Sequence, residues 1–488
     1  MTSTRISIER GTGQPLYRQL RQALEHEIAV GALDPLLPLP SSRELARELG
    51  VSRNTVNTAY QELEGEGFVE ARPRRGLFVN VEMLSELTRG QSGSPPAAPV
   101  DWSRYLKEPP DSGLPEIAKI RDWHKYPYPF VAGQVDSSSF PRLAWARALR
   151  EALEPPHLHY SLRDGIDEDD PDLVEQLCRH VLPGRGIEVE PDQVLVTLGS
   201  QQGLDLLGNT LLGPGSIVGV EDPGYLDARH IFLRAGAQLR PIDVDGSGLV
   251  PPPDLEGVSL LHLTPSHHSP TNVTLSIARR RQLLKLAEAH DTLLVEDDYD
   301  SEFRYQGSPT PAMKALRDSE RVIYLGTFSK FLAPGLRLGY LVGSPALVAD
   351  LRSQRRYRVR HASGHTQRAM ALLIASGQYQ RTVRRRRTNL ARRWSMLRNA
   401  LNEHLPWDVE TPPGGVSIWL TGPPELDCVE LSARALERGV VIERGDIYFT
   451  DPESHRNHVR LGFSALAPEA IQPGVAILGE LVREQLGG

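Results

Sequence analysis

Lys330 stands in the stretch GTFSKFLAPGLRLGY (326–340), behind Thr327 and Ser329, and Arg337 follows it across a Pro-Gly turn. A lysine amine shielded from water condenses with an aldehyde to give a Schiff base, and an arginine presents a planar fork of donors to a phosphate. Together the two residue types are equipment for holding a phosphorylated aldehyde. Pyridoxal 5′-phosphate asks four things of a protein: that lysine, a carboxylate facing the pyridine nitrogen, donors for the phosphate, and a ring to stack on. The chain offers a candidate for each. Asp297, in EDDYDSEF (296–303), is placed to keep the pyridine nitrogen protonated, and Tyr299 can donate to the ring hydroxyl. Thr327 and Arg337 can reach the phosphate. So can the turn TLGSQQGL (197–204), where Ser200 and Gln201 open a helix whose first amides point at an anion. Tyr225, in EDPGY (221–225), offers the stacking ring, and Arg460, in HVRLGFS (458–464), a clamp for a substrate carboxylate. Singly, each has a plainer account. A lysine after a strand is usually a surface lysine, Asp297 and Asp298 can cap a helix, and Arg337 can serve an ordinary salt bridge. The order and spacing of the whole set carry the chemistry.

Residues so far apart need a rigid frame. From about residue 120 the chain alternates short apolar runs with helix-like segments: VLVTLG (194–199), IVGVED (217–222), LLHLTP (260–265), TLLVEDD (292–298) and VIYLGT (322–327). This is the pattern of a parallel α/β sheet, whose chemistry gathers at the carboxyl ends of the strands. The candidate residues lie there. Residues from about 345 onward mix helices with GGVSIWL and HVRLGFS and predict a smaller α+β lobe. The expected effector domain spans 120–485. Residues 81–119 are expected to be a linker, Gly/Ser/Pro/Ala-rich over most of 85–115.

The first 80 residues are equipped for something else. PLYRQLRQALEHEIAVG (15–31) repeats Leu16, Leu20, Leu24 and Ile28 at helical spacing, with Pro15 at its start and Gly31 at its stop. Ser41 and Glu44 have the spacing of a capping box, Gly50 ends that short helix, and Ser52 can cap the next. FVEARPRRGLFVN (68–80) reads as a hairpin. Two short helices across a tight turn followed by a hairpin make a winged helix-turn-helix domain, expected over 10–80. Its second helix would enter the major groove with Ser52, Arg53, Asn54, Thr55 and Asn57. Arginine suits guanine, asparagine suits adenine, and the hydroxyls suit phosphates. Arg43 is placed for a backbone contact, and Arg72, Arg74, Arg75 and Gly76 at the wing for the minor groove or phosphates. A small helical domain used for protein contacts is the alternative.

Charge does not decide the matter. The chain of 488 residues carries a net −7, and its first 80 residues hold ten Arg, no Lys and ten Asp plus Glu, so any nucleic-acid contact must come from a local patch. Cys178 and Cys428 are the two cysteines, no Cys/His cluster has zinc spacing, and no metal site is expected. Neither a signal peptide nor an 18-residue apolar run is present, so a reduced, cytoplasmic, membrane-free protein is expected. RSQRRYRVRH (352–361) and RTVRRRRTNLARR (381–393) are strongly basic; helical spacing gathers Arg381, Arg385 and Arg392 on one face, read as solvated, with a secondary DNA track as the sharper alternative.

The series from PLYRQL through LPSSRELARELGVSRNTV to GLFV resembles the winged helix of GntR-family regulators. EDDYDSEF, TFSK…PGLRLGY and RLGF resemble the fold-type-I, aspartate-aminotransferase-like family over about 120–485. The pairing is similar to the MocR/GabR type, which joins the two. This resemblance implies a PLP-dependent transcriptional regulator: Lys330 the Schiff-base lysine, Asp297 the pyridine partner, Tyr299 the ring-hydroxyl partner, Arg337 a phosphate ligand and Arg460 the carboxylate-binding arginine. It further implies a homodimer, a double-stranded DNA operator and a small amine or amino-acid effector. Ser269, in HHSPTN (267–272), stands where aminotransferases carry the asparagine that supports the ring hydroxyl. A serine is shorter, which points to sensing with little or no turnover. A genuine aminotransferase with an accessory winged helix, and a plain DNA-binding repressor without the cofactor, are the competing readings. HHSPTN also resembles regulators of ectoine breakdown, whose effectors are diamino acids; GABA, taurine, D-alanine and pyridoxal-linked regulation stay open. The acidic stretch SLRDGIDEDDPDLVEQL (161–177), with Asp167, Glu168, Asp169 and Asp170, reads as a solvated helix start that can shape the pocket mouth and suit a second amino group.

Overall fold

The computed structural model describes residues 6, 8, 13–83, 100–106, 113–117, 120–317 and 319–487. The chain divides into two compact units, Met1–Lys107 and Glu108–Gly488. Residues 84–99, 107–112 and 118–119 of the expected linker lie outside the described residues, as do 10–12 of the expected winged helix.

In the first unit, α1 (Leu16–Ala29), α2 (Ser42–Leu49) and α3 (Arg53–Gly65) precede a hairpin of β1 (Val69–Arg72) and β2 (Gly76–Val79). Leu20, Leu24 and Ile28 of α1 are buried against a core that includes Val56, Ala59, Tyr60 and Leu63 of α3. Local chemistry sets the helix ends. The Ser41 hydroxyl accepts from Glu44 N while the Glu44 carboxylate accepts from Ser41 N, and Gly50 closes α2 in the left-handed conformation. Ser52 caps α3 through Thr55 N, and Tyr60 ties α3 to the segment before α2 by donating to Pro40 O at 2.8 Å.

The second unit opens with the two-residue strand β3 (Tyr128–Pro129). Among the described residues its main sheet has eight strands: β4 (Val194–Thr197), β5 (Ile217–Asp222), β6 (Gln238–Asp245), β7 (Gly248–Leu249), β8 (Val258–Leu263), β9 (Leu293–Asp298), β10 (Val322–Thr327) and β11 (Gly339–Val342). Their spatial order is β4-β11-β10-β9-β8-β5-β6-β7. The five apolar runs of the sequence became β4, β5, β8, β9 and β10, and β5, β8, β9 and β10 form successive parallel pairs. Both faces are covered, which is why these strands are almost continuously apolar. The sheet is mixed because β11 inserts antiparallel between β4 and β10. That strand is GYLV, which begins in the last two residues of the PGLRLGY stretch and is too short to stand out beside the chemistry of Arg337.

The smaller lobe carries β12 (Ser417–Thr421), β13 (Val440–Val441), β14 (Glu443–Arg444) and β15 (His458–Gly462), with helices Gln378–His404 and Pro468–Gln485. Strand β15 lies antiparallel between β12 and β14, while β13 pairs with β3, so the start of the unit belongs to this lobe. No helix among the described residues is long and apolar enough to cross a membrane.

The acidic stretch corrects the sequence reading. Asp169 and Asp170 are buried, each 4% exposed. Asp169 accepts from Arg352 at 2.7 Å, Arg355 at 2.6 Å and the Val196 amide, while Asp170 caps a helix through Leu173 N and accepts from Arg368. Asp167 and Glu168 remain exposed. The basic segments divide likewise. Arg381, Arg385 and Arg392 are exposed, but Arg386 is buried and donates to Phe331 O and Leu332 O, just beyond Lys330.

Candidate functional site

The carboxyl ends of β4, β9 and β10 open onto a cavity of about 210 Å³ whose far wall is β14 and β15 of the smaller lobe. Ser200, Gln201, Tyr225, Ser269, Asp297, Tyr299, Thr327, Lys330, Arg337 and Arg460 all line it. The structure therefore brings together these ten residues that the sequence nominated for the cofactor and the effector's acid group, while Asp167, Glu168, Asp169 and Asp170, offered for a second amino group, are not among the residues that line it.

Strand β9 delivers Asp297 to the cavity floor, 3% exposed, with its Oδ2 3.8 Å from His262 Nε2 on β8. Asp297 Oδ1, the Tyr299 hydroxyl and Ser329 Oγ are buried and have no hydrogen-bond partner among the described residues. Burial, then the neighbouring Asp300, pushes the Tyr299 phenol well above its ordinary range, so it stands as a donor. Buried polar atoms of this kind are costly unless something completes their bonds. An acid, a phenol and a hydroxyl lining one cavity match the nitrogen and hydroxyl of a pyridine ring.

The phosphate end follows from backbone shape. Arg337 is itself left-handed, at φ 47°, and its Nη2 donates to Leu198 O at 2.7 Å. This lays the guanidinium over Gly199, the residue before helix Ser200–Leu211. A Cβ at Gly199 would stand 3.3 Å from both Nη atoms, and the φ of +86° there suits glycine. A fixed cation beside a helix N-terminus is an anion site. Lys330 follows β10, and a Cβ at Gly133, which also lines the cavity, would lie 3.3 Å from its Nζ.

Several side chains in the wall had no signal in the sequence reading. Asp227 accepts from the Tyr225 hydroxyl at 3.2 Å and from Gln201 Nε2 at 3.5 Å, steadying both. Thr264 Oγ1 accepts from Ser269 N at 2.9 Å and donates to Glu221 at 2.7 Å. Burial pushes the Glu221 carboxyl up to about 7, and Thr264 offsets part of that push. On the far wall, Arg460 Nε donates to Ser417 Oγ at 3.0 Å and Nη1 to the Tyr448 hydroxyl at 2.9 Å, while Glu443 lies 3.9 Å from Nη1. Burial would lower the Arg460 pKa, but Tyr448 and Glu443 outweigh it and hold the charge firmly. Glu443 faces Arg460 across β14 and β15. A two-residue strand leaves no periodicity to find it by.

In the first unit, Arg43, Ser52, Arg53, Asn54, Arg74, Arg75 and Gly76 are exposed and Thr55 and Asn57 half-buried. Ser52 Oγ is engaged by its cap, accepting from Thr55 N at 3.1 Å and hydrogen-bonded to Thr55 Oγ1 at 2.8 Å. Arg53 Nε reaches Ser42 Oγ at 3.3 Å. Arg72 lies 4.4 Å over the Phe78 ring, with Arg75 at 5.9 Å from the same ring, and Arg72 also pairs with Glu70.

Residues 134–478 match the family Aminotransferase class I and II, and residues 16–79 match Bacterial regulatory proteins, gntR family. The chain is 39% identical over 469 residues to the HTH-type transcriptional regulator TauR of Rhodobacter capsulatus, covering 96% of each. It is 32% identical over 489 residues to a probable rhizopine catabolism regulatory protein, MocR, of Rhizobium meliloti, covering 96% of this chain and 94% of that one. Among solved structures, the kynurenine aminotransferase of Pyrococcus horikoshii superposes with a TM-score of 0.72 at 29% identity, over 79% of this chain and 98% of the other. The class I and II aminotransferase fold implies pyridoxal phosphate as cofactor, and GntR-family regulators bind DNA operators. With both families matched on one chain, and regulators aligned with it over nearly its whole length, the protein belongs to the MocR-type transcriptional regulators, which join a GntR winged helix to an aminotransferase-like domain.

Proposed function

We propose that the protein is a transcriptional regulator that binds an operator through its winged helix and responds to an amino acid held in the aminotransferase-like cavity. One observation carries this: Lys330, Asp297, Tyr299, Arg337 and the buried Arg460 line one cavity, the residue types that a cofactor and an acid-bearing amine would need side by side. Pyridoxal phosphate, when bound, supplies an aldehyde that links reversibly to a primary amine. Arg337, Thr327 and the helix start at Ser200 and Gln201 would hold its phosphate, Tyr225 would cover the ring, and Tyr299 and Ser269 would face its hydroxyl. Asp297 would hold the proton on the ring nitrogen. Lys330 would receive the aldehyde and give way to the effector amine, whose acid group the Arg460 fork takes. On DNA, Arg53, Asn54, Thr55 and Asn57 would meet base edges, and Arg43, Ser52, Arg74, Arg75 and Gly76 the backbone or minor groove.

The effector class is a primary amine bearing an acid group. A diamino acid of the ectoine-breakdown kind finds no support in residues 167–170, since Asp169 and Asp170 are taken by arginines. Its second amino group would have to meet Glu443 or Asp227, which also line the cavity. Action on an operator places the protein in the cytoplasm, where Cys178 and Cys428, both free, stay reduced. The test is a titration of the cofactor-loaded protein with paired amines and amino acids, following the cofactor spectrum and operator binding together. Acid-bearing amines should change both. If none alters operator binding while a keto acid supports sustained turnover, the protein is an aminotransferase with an accessory winged helix instead.

A further inference from the structure

Asn272 ends the HHSPTN loop, in the large domain after β8, and none of the chemistry above uses it. It is fully buried and left-handed, at φ 60°. Its Nδ2 donates to Ser417 O at 2.7 Å and to Ser417 Oγ at 3.0 Å. The carbonyl of Ser417 can only accept, so the amide nitrogen, not its oxygen, must face β12. Ser417 Oγ in turn accepts Arg460 Nε at 3.0 Å. A chain of two hydrogen bonds thus runs from a large-domain loop to a guanidinium on the smaller lobe. The approach is built in. A Cβ at Gly415 would stand 2.5 Å from Asn272 Oδ1, so only glycine admits the side chain there, and the Gly415 φ of +90° suits it. Gly415 N donates to Phe303 O, and the Tyr305 hydroxyl donates to Gly415 O, which pins this turn to the large domain.

We infer that Asn272 is a positioning residue for effector recognition: through Ser417 it fixes Arg460 so that the guanidinium presents its Nη edge to the effector's acid group. The inference rests on the assignment of Arg460 to that group. An arginine side chain has several rotatable bonds, and a fork that is already oriented loses less freedom when it pairs with a carboxylate. Ser269, on the same loop, is tied through its backbone amide to Thr264 Oγ1. Asn272, three residues on, supplies the amide side chain that reaches Ser417, the partner of the arginine.

A positioning role and a merely structural one predict different results. Take the full-length, cofactor-loaded protein and titrate it with β-alanine and with ethylamine, which differ by the acid group alone. The ratio of the two apparent affinities measures how well the acid is recognised. Asn272→Gly, compatible with the local backbone, should lower that ratio roughly 2- to 10-fold, the loss of one hydrogen bond in the relay. The ethylamine affinity and the cofactor absorbance should not move. Ser417→Ala should lower the ratio similarly, and the double variant little further, because both act on one relay. Arg460→Ala should abolish the discrimination. Equal losses for β-alanine and ethylamine in Asn272→Gly would make Asn272 structural and overturn the inference. So would an unchanged ratio in Asn272→Gly when Arg460→Ala abolishes it. If Arg460→Ala itself keeps the ratio, the assignment of Arg460 fails and the inference with it. Should Asn272→Gly not fold, Ser417→Ala alone decides, and an unchanged ratio there overturns the relay.

Discussion

Glu221 shows how far the cavity shifts a single side chain. The carboxyl is 3% exposed and accepts from Thr264 through both its amide and its hydroxyl. Burial nonetheless raises it from 4.5 to about 7. An unfolded glutamate loses its proton near 4.5, while the folded one keeps it to about 7. Between these values the folded state binds more protons, so stability falls as pH rises from about 4.5 to about 7 and levels off above. The fall is on the order of 3 kcal/mol. Glu221→Gln keeps an oxygen for Thr264 and removes the titration. We predict that its unfolding temperature, relative to the wild type, climbs as pH is raised from 5 to 8; a constant difference would mean that Glu221 does not titrate in this window. The second residue-scale prediction concerns Lys330. Lys330→Ala should remove the borohydride-trappable link to pyridoxal phosphate and leave the fold and the operator affinity intact. A trapped cofactor in that variant would show that another amine carries it.

At the scale of elements, buried arginines fasten the helices. Asp169 is met by Arg352 and the fully buried Arg355, both on helix Pro345–Val359, and also accepts from the Val196 amide of β4. Removing the acid strands a cation with no water to receive it. Asp169→Ala should therefore destabilise the second unit by roughly 3–5 kcal/mol. Chemical denaturation should show that loss, while the isolated winged helix keeps its own midpoint; a change under 1 kcal/mol would mean that water reaches the arginines. The same residue explains where sequence reasoning stopped. Capping boxes, the α1 stripe and the five apolar strands were legible because each is decided within a few residues: Ser41 needs only Glu44. The cavity set was legible because Lys330, Asp297 and Arg337 sit in compact, chemically unusual stretches. Asp169 was not, since its arginine partners lie more than 180 residues on, and an acidic run without them looks solvated. Glu443, Tyr448 and Asn272 were missed for a related reason: each takes its meaning from a partner elsewhere in the chain, Arg460 for the first two and Ser417, across the lobes, for the third.

At the scale of the molecule, the winged helix and the cavity belong to separate compact units, each with its own buried core. A response at the operator must then come from a ligand that favours one arrangement of the chain over another, and its size is bounded by the difference in the ligand's affinity for the two. An effector that engages Arg460 ties the smaller lobe to whatever the large domain holds at Lys330, so lobe closure is the natural two-state element. We predict a homodimer in which effector binding changes operator affinity through the placement of the two reading heads, with the contacts of Arg53 and Asn54 left as they are. Segment 1–83 alone should bind operator DNA more weakly than the full dimer and with no effect of effector, whereas the full chain should respond. Coupling energies of this kind run to about 1–3 kcal/mol, or roughly 5- to 150-fold in affinity. Arg53→Ala should weaken DNA binding equally with and without effector and leave the cofactor spectrum untouched. Lys330→Ala should bind operator yet ignore the effector. If segment 1–83 responds to effector, if Lys330→Ala responds as the wild type does, or if sedimentation finds a monomer that binds operator at full strength, coupling through head placement is wrong.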